Sequence, residues 1–345
     1  MRFTSQGVRS VLIESPTGSG KTVMGLLVAR ALQEALGLRV GWVAMRRYLL
    51  DQARSESERL GINVDASWVS MFDRTPPTGL DLLVVDEAQH DAAQSMAVLH
   101  QTVRPRFILG LSATPFRADK VKLCFDTVIK DAGIHSLIQD GYLSSFHHYM
   151  LPTWSPEVAV KTYLDDRARW GKSIFYFHTL AECARADAML KSAGVRSEVV
   201  HGGSDREAQL AAFQAGEVDV LSNCMVLAEG FDCPKLQTVF CRPSGKSVTV
   251  QMAGRVLRKP PEPVQKQIVQ SQGTKWPFAK TALPAQQFVW ADGGWRTLRA
   301  NAIIQQVSLK VMHALARTNV ELPKWVVQRA GYLNRRAKYA RSEAE

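Results

Sequence analysis

Short apolar runs alternate with longer stretches of helical period through the first 260 residues, and the alternation predicts the architecture. Residues 10–13, 39–44, 67–70, 82–85 and 107–111 are rich in aliphatic and β-branched side chains and lie between turn formers, as buried strands do. Between them, residues 21–36 and 46–60 read as helices. Gly37 and Gly61 are placed to stop them, because glycine takes the left-handed conformation that ends a helix. A second alternating block begins near Ser144, with strands expected at 173–177, 198–200, 218–222 and 238–241 and helices near 179–193 and 204–215. Strands apolar on both faces, separated by helices, imply α/β units around parallel sheets. Two such blocks in tandem predict a cleft between them. The connection is expected within residues 119–140, and Lys259-Pro260-Pro261-Glu262-Pro263 reads as a stiff break that ends the second block.

Chemistry enters at the end of the first strand. Ser15-Pro16-Thr17-Gly18-Ser19-Gly20-Lys21-Thr22 joins the run 10–13 to a helical segment, the strand-loop-helix setting of a phosphate-binding loop. Glycines let the backbone wrap an anion while the amides and the helix N-terminus point positive charge at it. Lys21 is expected to reach the β and γ oxygens and the Thr22 hydroxyl to hold Mg²⁺. Ser15 stands where the strict pattern has glycine. The run 82–85 ends in Asp86-Glu87, and ligands of an open α/β sheet sit at the carboxyl ends of strands, so these acids are expected beside the loop. Ser112-Ala113-Thr114, Glu229-Gly230-Phe231-Asp232-Cys233-Pro234 and Gln251-Met252-Ala253-Gly254-Arg255-Val256-Leu257-Arg258 follow in that order. The spacing of Arg255 and Arg258 puts both on one helical face, which Gln251 shares.

This ordered set resembles the superfamily 2 helicases and translocases over roughly residues 8–260, with DEAQ in place of DEAD or DEAH. Leu137-Ile138-Gln139-Asp140-Gly141-Tyr142-Leu143 and the Glu-Gly-Phe-Asp form are most similar to the RadD-like and type III restriction-subunit branch, which acts on DNA. The resemblance implies two RecA-like parallel-sheet domains, at 1–130 and 131–262, with ATP and Mg²⁺ bound between them. It implies that Asp86 holds Mg²⁺ with Thr22, that Glu87 deprotonates the attacking water, and that Arg255 and Arg258 face the γ-phosphate from the second domain, with Gln251 beside them. Thr17, Gly18, Ser19, Gly20, Lys21, Thr22, Gly230 and Asp232 are expected around the nucleotide, and Ser112 and Thr114 to couple hydrolysis to strand movement. Strand contacts are expected from Arg46, Arg47, Ser70 and His201, although Arg46 and Arg47 equally suit a solvated helix start and His201 a helix cap. Family members carry an adenine-reading Gln on a helix upstream of the loop. Here fourteen residues precede Ser15, with Gln6 close to the loop, so a truncated product, a split gene or a variant that reads the base loosely is expected.

Charge sharpens the picture of the remainder. Residues 261–345 hold thirteen Lys or Arg against five acids, +8 of the net +11, which leaves +3 for residues 1–260. Concentrated positive charge suits nucleic acid, whose neutralised phosphates release counterions, the alternative being a solvated basic tail. Residues 263–345 are expected to be a small α-rich, basic extension in which aromatics such as Trp276, Phe278, Trp290 and Trp295 either stack on bases or fill a small core. Trp290-Ala291-Asp292-Gly293-Gly294-Trp295 reads as a β-hairpin. A final helix with Arg335 and Arg336 turned outward is expected to meet DNA. The five cysteines form no C-x-x-C pair and read as reduced thiols rather than disulfides or zinc ligands. With no leader-like start and no long apolar stretch, a cytoplasmic, bacterial or phage-encoded ATP-dependent helicase or translocase on DNA is expected. The alternatives are the motor subunit of a restriction or repair complex, with a nuclease or repair protein as partner, that translocates on duplex without unwinding, and a nucleotide-gated DNA-binding subunit that has lost hydrolysis.

Overall fold

The computed structural model describes residues 7–16, 18–90, 94–113, 123, 125–130, 132–228, 233–291 and 293–297. Gln6, Thr17, Thr114, Gly230, Asp232, Arg335 and Arg336 lie outside them. The first half holds β1 (Ser10–Glu14), α1 (Lys21–Leu36), β2 (Val40–Ala44), α2 (Arg47–Arg59), β3 (Ala66–Ser70), β4 (Leu82–Asp86), α3 (Gln94–Val103), β5 (Phe107–Ser112) and β6 (Thr127–Lys130). The second holds α4 (Ile134–Gln139), β7 (Phe146–Leu151), α5 (Pro156–Asp165), α6 (Arg167–Trp170), β8 (Ser173–Tyr176), α7 (Leu180–Ser192), β9 (Ser197–Val200), α8 (Arg206–Ala215), β10 (Val220–Asn223), β11 (Thr238–Cys241), α9 (Lys246–Gly254), β12 (Lys266–Ser271), β13 (Gln286–Ala291) and β14 (Gly294–Thr297).

Two parallel sheets result, as the alternating pattern requires. The first runs β3-β2-β4-β5-β1-β6. Every residue of β2 and β4 is buried, because helices cover both faces. Gly37 ends α1 in the left-handed conformation at φ 63° and donates its amide to the Gln33 carbonyl. The order places β5 between β1 and β4, so the end of β5 lies between the phosphate loop and the acid pair.

The second sheet runs β14-β13-β7-β12-β11-β8-β10-β9. Alternate residues of β8 serve its two faces: Ile174 and Tyr176 belong to one core, Phe175 and Phe177 to the other. Phe175 stacks on Phe240 of β11 at 4.2 Å. On the same side Tyr149 meets Trp170 edge to face at 4.9 Å.

This sheet corrects the expected end of the second domain at residue 262. β12 lies between β7 and β11 in the middle of the sheet and is buried at all six positions, and β13 and β14 extend the sheet to Thr297. The prolines after Lys259 make a loop within the domain. The strand does not read as a core strand because four of its six residues are polar, and it can be buried because Lys266, Gln267 and Gln270 each find partners. Lys266 Nζ donates to the carbonyls of Pro234 and Leu236 at 2.6 and 2.5 Å, and Gln267 Nε2 to Arg169 at 2.5 Å. Gln270 Oε1 accepts from the Phe278 amide at 2.7 Å and lies 2.9 Å from His148 Nε2. Phe278 and Trp295 therefore belong to this domain's cores, against Phe146 and Tyr149 respectively. The expected hairpin matches the neighbouring β13 and β14, with Gly293 at φ 76°.

Candidate nucleotide site between the two sheets

The phosphate loop leaves β1 and is tied at once to β5, since the Ser15 amide donates to the Ser112 carbonyl at 2.9 Å. Ser15 is buried, and its hydroxyl bonds to Ser19 Oγ at 2.5 Å. Its φ is not positive, so this position does not demand the glycine of the strict pattern. Gly18 and Gly20 do need their freedom, with φ 87° and 84°. Lys21 opens α1, is only 8% exposed, and donates through Nζ to the Pro16 carbonyl at 3.3 Å. Its pKa is lowered, chiefly by burial, while Glu87 and Asp86 pull the other way and Arg255 and Arg258 lower it further.

Asp86 ends β4 and is 8% exposed. Burial, and then the Glu87 carboxylate, push its carboxyl up to about 7; Lys21 and the Glu87 amide, which donates to Asp86 Oδ1 at 3.0 Å, hold it back. Glu87 takes φ 52°, a left-handed conformation uncommon outside glycine, and so turns sharply off the strand end. Its Oε2 accepts from Gln89 Nε2 at 2.8 Å, and Gln89 Oε1 accepts from the Ser112 hydroxyl at 2.6 Å. A side-chain relay thus runs from the end of β5 to the acid pair.

The second domain closes the site. A cavity of about 140 Å³ is lined by Gly18, Gly20, Lys21, Thr22, Asp86 and Glu87 on one side and by Arg255 and Arg258 on the other. α9 ends at Gly254 and tightens into a 3-10 turn, Arg255–Leu257, with Arg258 extended beyond it. At three residues per turn, positions three apart eclipse, and both arginines reach the cavity. Gln251, a full turn back on α9, is not among the cavity-lining residues, so the shared face expected from a continuous helix does not extend to it. The Ser144 amide donates to the Leu257 carbonyl at 2.8 Å, and Leu143 pairs with Arg258 in an isolated bridge. A Cβ on Gly18 would lie 3.2 Å from Leu143 Cδ2, so the two domains touch at the phosphate loop.

Two features escaped the sequence reading. The face of α2 formed by Leu49, Gln52, Ala53 and Glu56 lines the cavity, a placement only its i, i+3, i+4, i+7 spacing hinted at. Arg206 of α8 crosses to α2, lying 4.6 Å over the Tyr48 ring with Nη1 3.1 Å from its hydroxyl.

The expected strand contacts are not brought to the cavity. Arg46 and Arg47 are exposed at the start of α2, where Arg47 reaches Asp73 at 4.0 Å. Ser70 is buried, its hydroxyl accepting from the Phe72 amide at 3.3 Å. His201 Nδ1 accepts from the Gly203 amide at 3.1 Å, while Asp205, not His201, caps α8.

Comparison with known proteins agrees with this layout. Residues 2–72 match the type III restriction enzyme res subunit family, and residues 156–260 the helicase conserved C-terminal domain. A 51.5 kDa protein of a Lactococcus phage (isolate 7-9) is 24% identical over 85% of this chain and 72% of its own length. The ATP-dependent helicase homologue IRC3 of Saccharomyces cerevisiae is 28% identical over 52% of this chain, which spans only 32% of IRC3. Among solved structures, the L327V variant of S. cerevisiae Dbp5 bound to RNA and ADP-BeF3 superposes with a TM-score of 0.61 at 16% identity, over 88% of this chain and 89% of that one. Mycobacterium smegmatis Lhr bound to ssDNA and AMP-PNP gives 0.54 at 16% identity, over 78% of this chain and 44% of that one. A res-subunit phosphate loop leading, along one chain, into a helicase C-terminal domain places this protein in superfamily 2, the ATP-dependent helicase-type motors, on the res-subunit-like branch.

Proposed function

We propose that this chain hydrolyses ATP in the cavity between its two sheets and uses the cycle to move along nucleic acid, with DNA as its substrate. One observation carries the reading: a buried lysine, two acids and two arginines from the opposite domain converge on one cavity. Phosphoryl transfer needs positioning and charge neutralisation, which this set supplies. Lys21 and the loop glycines hold the β and γ phosphates. Glu87 orients the attacking water and takes its proton. Arg255 and Arg258 stabilise charge on the transferring group once the domains are closed. The donors fit a hard cation: Asp86 and the Thr22 hydroxyl line the cavity, and the Asp86 carboxyl is buried at a cost that a cation relieves. Asp86 and Thr22 would hold Mg²⁺, which would supply neutralisation of phosphate charge. Ser112, through Gln89, is suited to report the state of Glu87 to the end of β5.

The likeness of residues 2–72 to the res subunit favours DNA over RNA. The reading includes a first domain to about residue 130 and a second that runs from there to about 297, acting in the cytoplasm of a bacterial host. Among the described residues no helix is long and apolar enough to cross a membrane.

The test is ATP turnover by the purified chain alone and with single-stranded DNA, duplex DNA and RNA in turn. DNA is expected to stimulate most. Glu87→Gln is expected to bind ATP and hydrolyse it poorly; turnover at the wild-type rate would remove Glu87 as the base.

A further inference from the structure

The second domain carries a cationic surface that the nucleotide site does not use. β8, β11 and β12 are adjacent parallel strands, so the loops leaving their carboxyl ends are neighbours. The loops after β11 and β12 are joined, with the Trp276 amide donating to the Ser244 carbonyl at 3.2 Å and the Ser244 amide to Thr274 Oγ1 at 3.3 Å. The Trp276 ring is held by its indole N–H, which donates to Thr281 Oγ1 at 3.0 Å. Lys246 of α9 and Lys280 each place Nζ 5.4 Å from the centre of that ring. Lys275 is exposed beside it. At the end of β11, Arg242 Nη1 donates to His178 Nδ1 at 3.0 Å, which joins the patch to the loop after β8, and Arg242 Nε is buried without a partner.

The kind of contact identifies the partner. A cation that serves only the fold is usually neutralised by a carboxylate, as Arg196 is by Asp219 at 2.6 Å on this same domain. An aromatic ring instead gathers two ammonium groups without cancelling their charge. Among the described residues Arg242, Lys246, Lys275 and Lys280 have no carboxylate within salt-bridge distance. Glu182, which faces His178, is occupied by the amides of His178 and Thr179 at 2.7 and 3.2 Å. Four cations without a carboxylate partner among the described residues, arranged along two neighbouring loops around a fixed ring, match a chain of regularly spaced phosphates better than a single small anion.

We propose that Arg242, Lys246, Lys275 and Lys280, organised by Trp276, bind the sugar–phosphate backbone of the nucleic-acid strand on which the motor acts. The inference rests on the nucleic-acid reading above and adds a surface beyond the helicase motifs.

The test is fluorescence anisotropy of labelled oligo-dT and oligo-U binding, from about 50 to 200 mM salt, for wild type, Lys246→Gln/Lys280→Gln and Trp276→Phe, with melting curves to show that each is folded. Each phosphate contact on a single strand contributes about 0.7 to the slope of log affinity against log salt. Losing two should lower the slope by about 1.4, so that the double variant's affinity falls about 7-fold less than wild type's across that fourfold salt range. Trp276→Phe keeps a ring and is expected to keep the wild-type slope. An unchanged slope in a folded double variant, with wild type binding normally, overturns this inference alone and leaves the patch to an acidic protein surface. If wild type bound neither oligonucleotide, the nucleic-acid reading and this inference would both fall.

Discussion

Replacing Asp86 by Asn should make the metal-free protein more stable at alkaline pH while abolishing turnover. The folded environment raises the Asp86 carboxyl from 3.8 to about 7, first through burial and then through Glu87. A group whose folded pKa is raised contributes stability that is complete below its unfolded pKa and is lost as pH climbs to the folded one. For Asp86 that window is pH 4 to 7. At about 1.4 kcal/mol per pH unit, the charge costs the folded protein about 4 kcal/mol once pH passes 7. Asn keeps the shape and carries no charge to bury. Urea unfolding in the presence of a chelator, at half-unit steps from pH 4 to 8, reads this directly. The wild type and Asp86→Asn should have similar midpoints near pH 4 and diverge as pH rises, with the variant ahead by up to about 4 kcal/mol at pH 8. Mg²⁺ added at pH 8 should close the gap by stabilising the wild type. A variant no more stable than wild type at pH 8 without metal would refute the reasoning, because the site would then hold the charge at no cost.

The arginines of the second domain offer a kinetic test. Arg255→Ala or Arg258→Ala should slow hydrolysis by about 10³-fold, as the loss of an arginine finger does, with little change in nucleotide affinity; wild-type kinetics in both variants would remove the two-domain site. Gln89→Ala cuts the relay between Ser112 and Glu87. Losing the hydrogen bond that fixes the Glu87 carboxylate should cost roughly 1.5 kcal/mol in the transition state, about tenfold in kcat, with KM for ATP unchanged; a change confined to KM would mean that Gln89 serves binding instead.

The amino-acid sequence alone determined the parts of this protein whose cause is local. Apolar runs such as residues 82–85 became strands buried on both faces, and Gly37 ended α1 where its left-handed φ was needed. The phosphate loop and Asp86-Glu87 were legible for the same reason: backbone freedom, a lysine and two acids at strand ends are properties of neighbours in the chain. What only the tertiary structure decided depends on partners far away. β12 reads as polar until Lys266 meets the carbonyls of Pro234 and Leu236 and Gln270 meets His148, which makes burying it possible and carries the second domain past residue 262. Arg255 and Arg258 were recognisable as a pair, but the tightening after Gly254 turns them to the cavity and leaves Gln251 out. The placing of Ser112 between loop and acids, the reach of Arg206 to Tyr48 and the gathering of Lys246 and Lys280 on Trp276 follow from strand order and loop neighbourhood. Sheet order is set by which apolar faces cover one another, a choice made across more than a hundred residues that local periodicity does not encode.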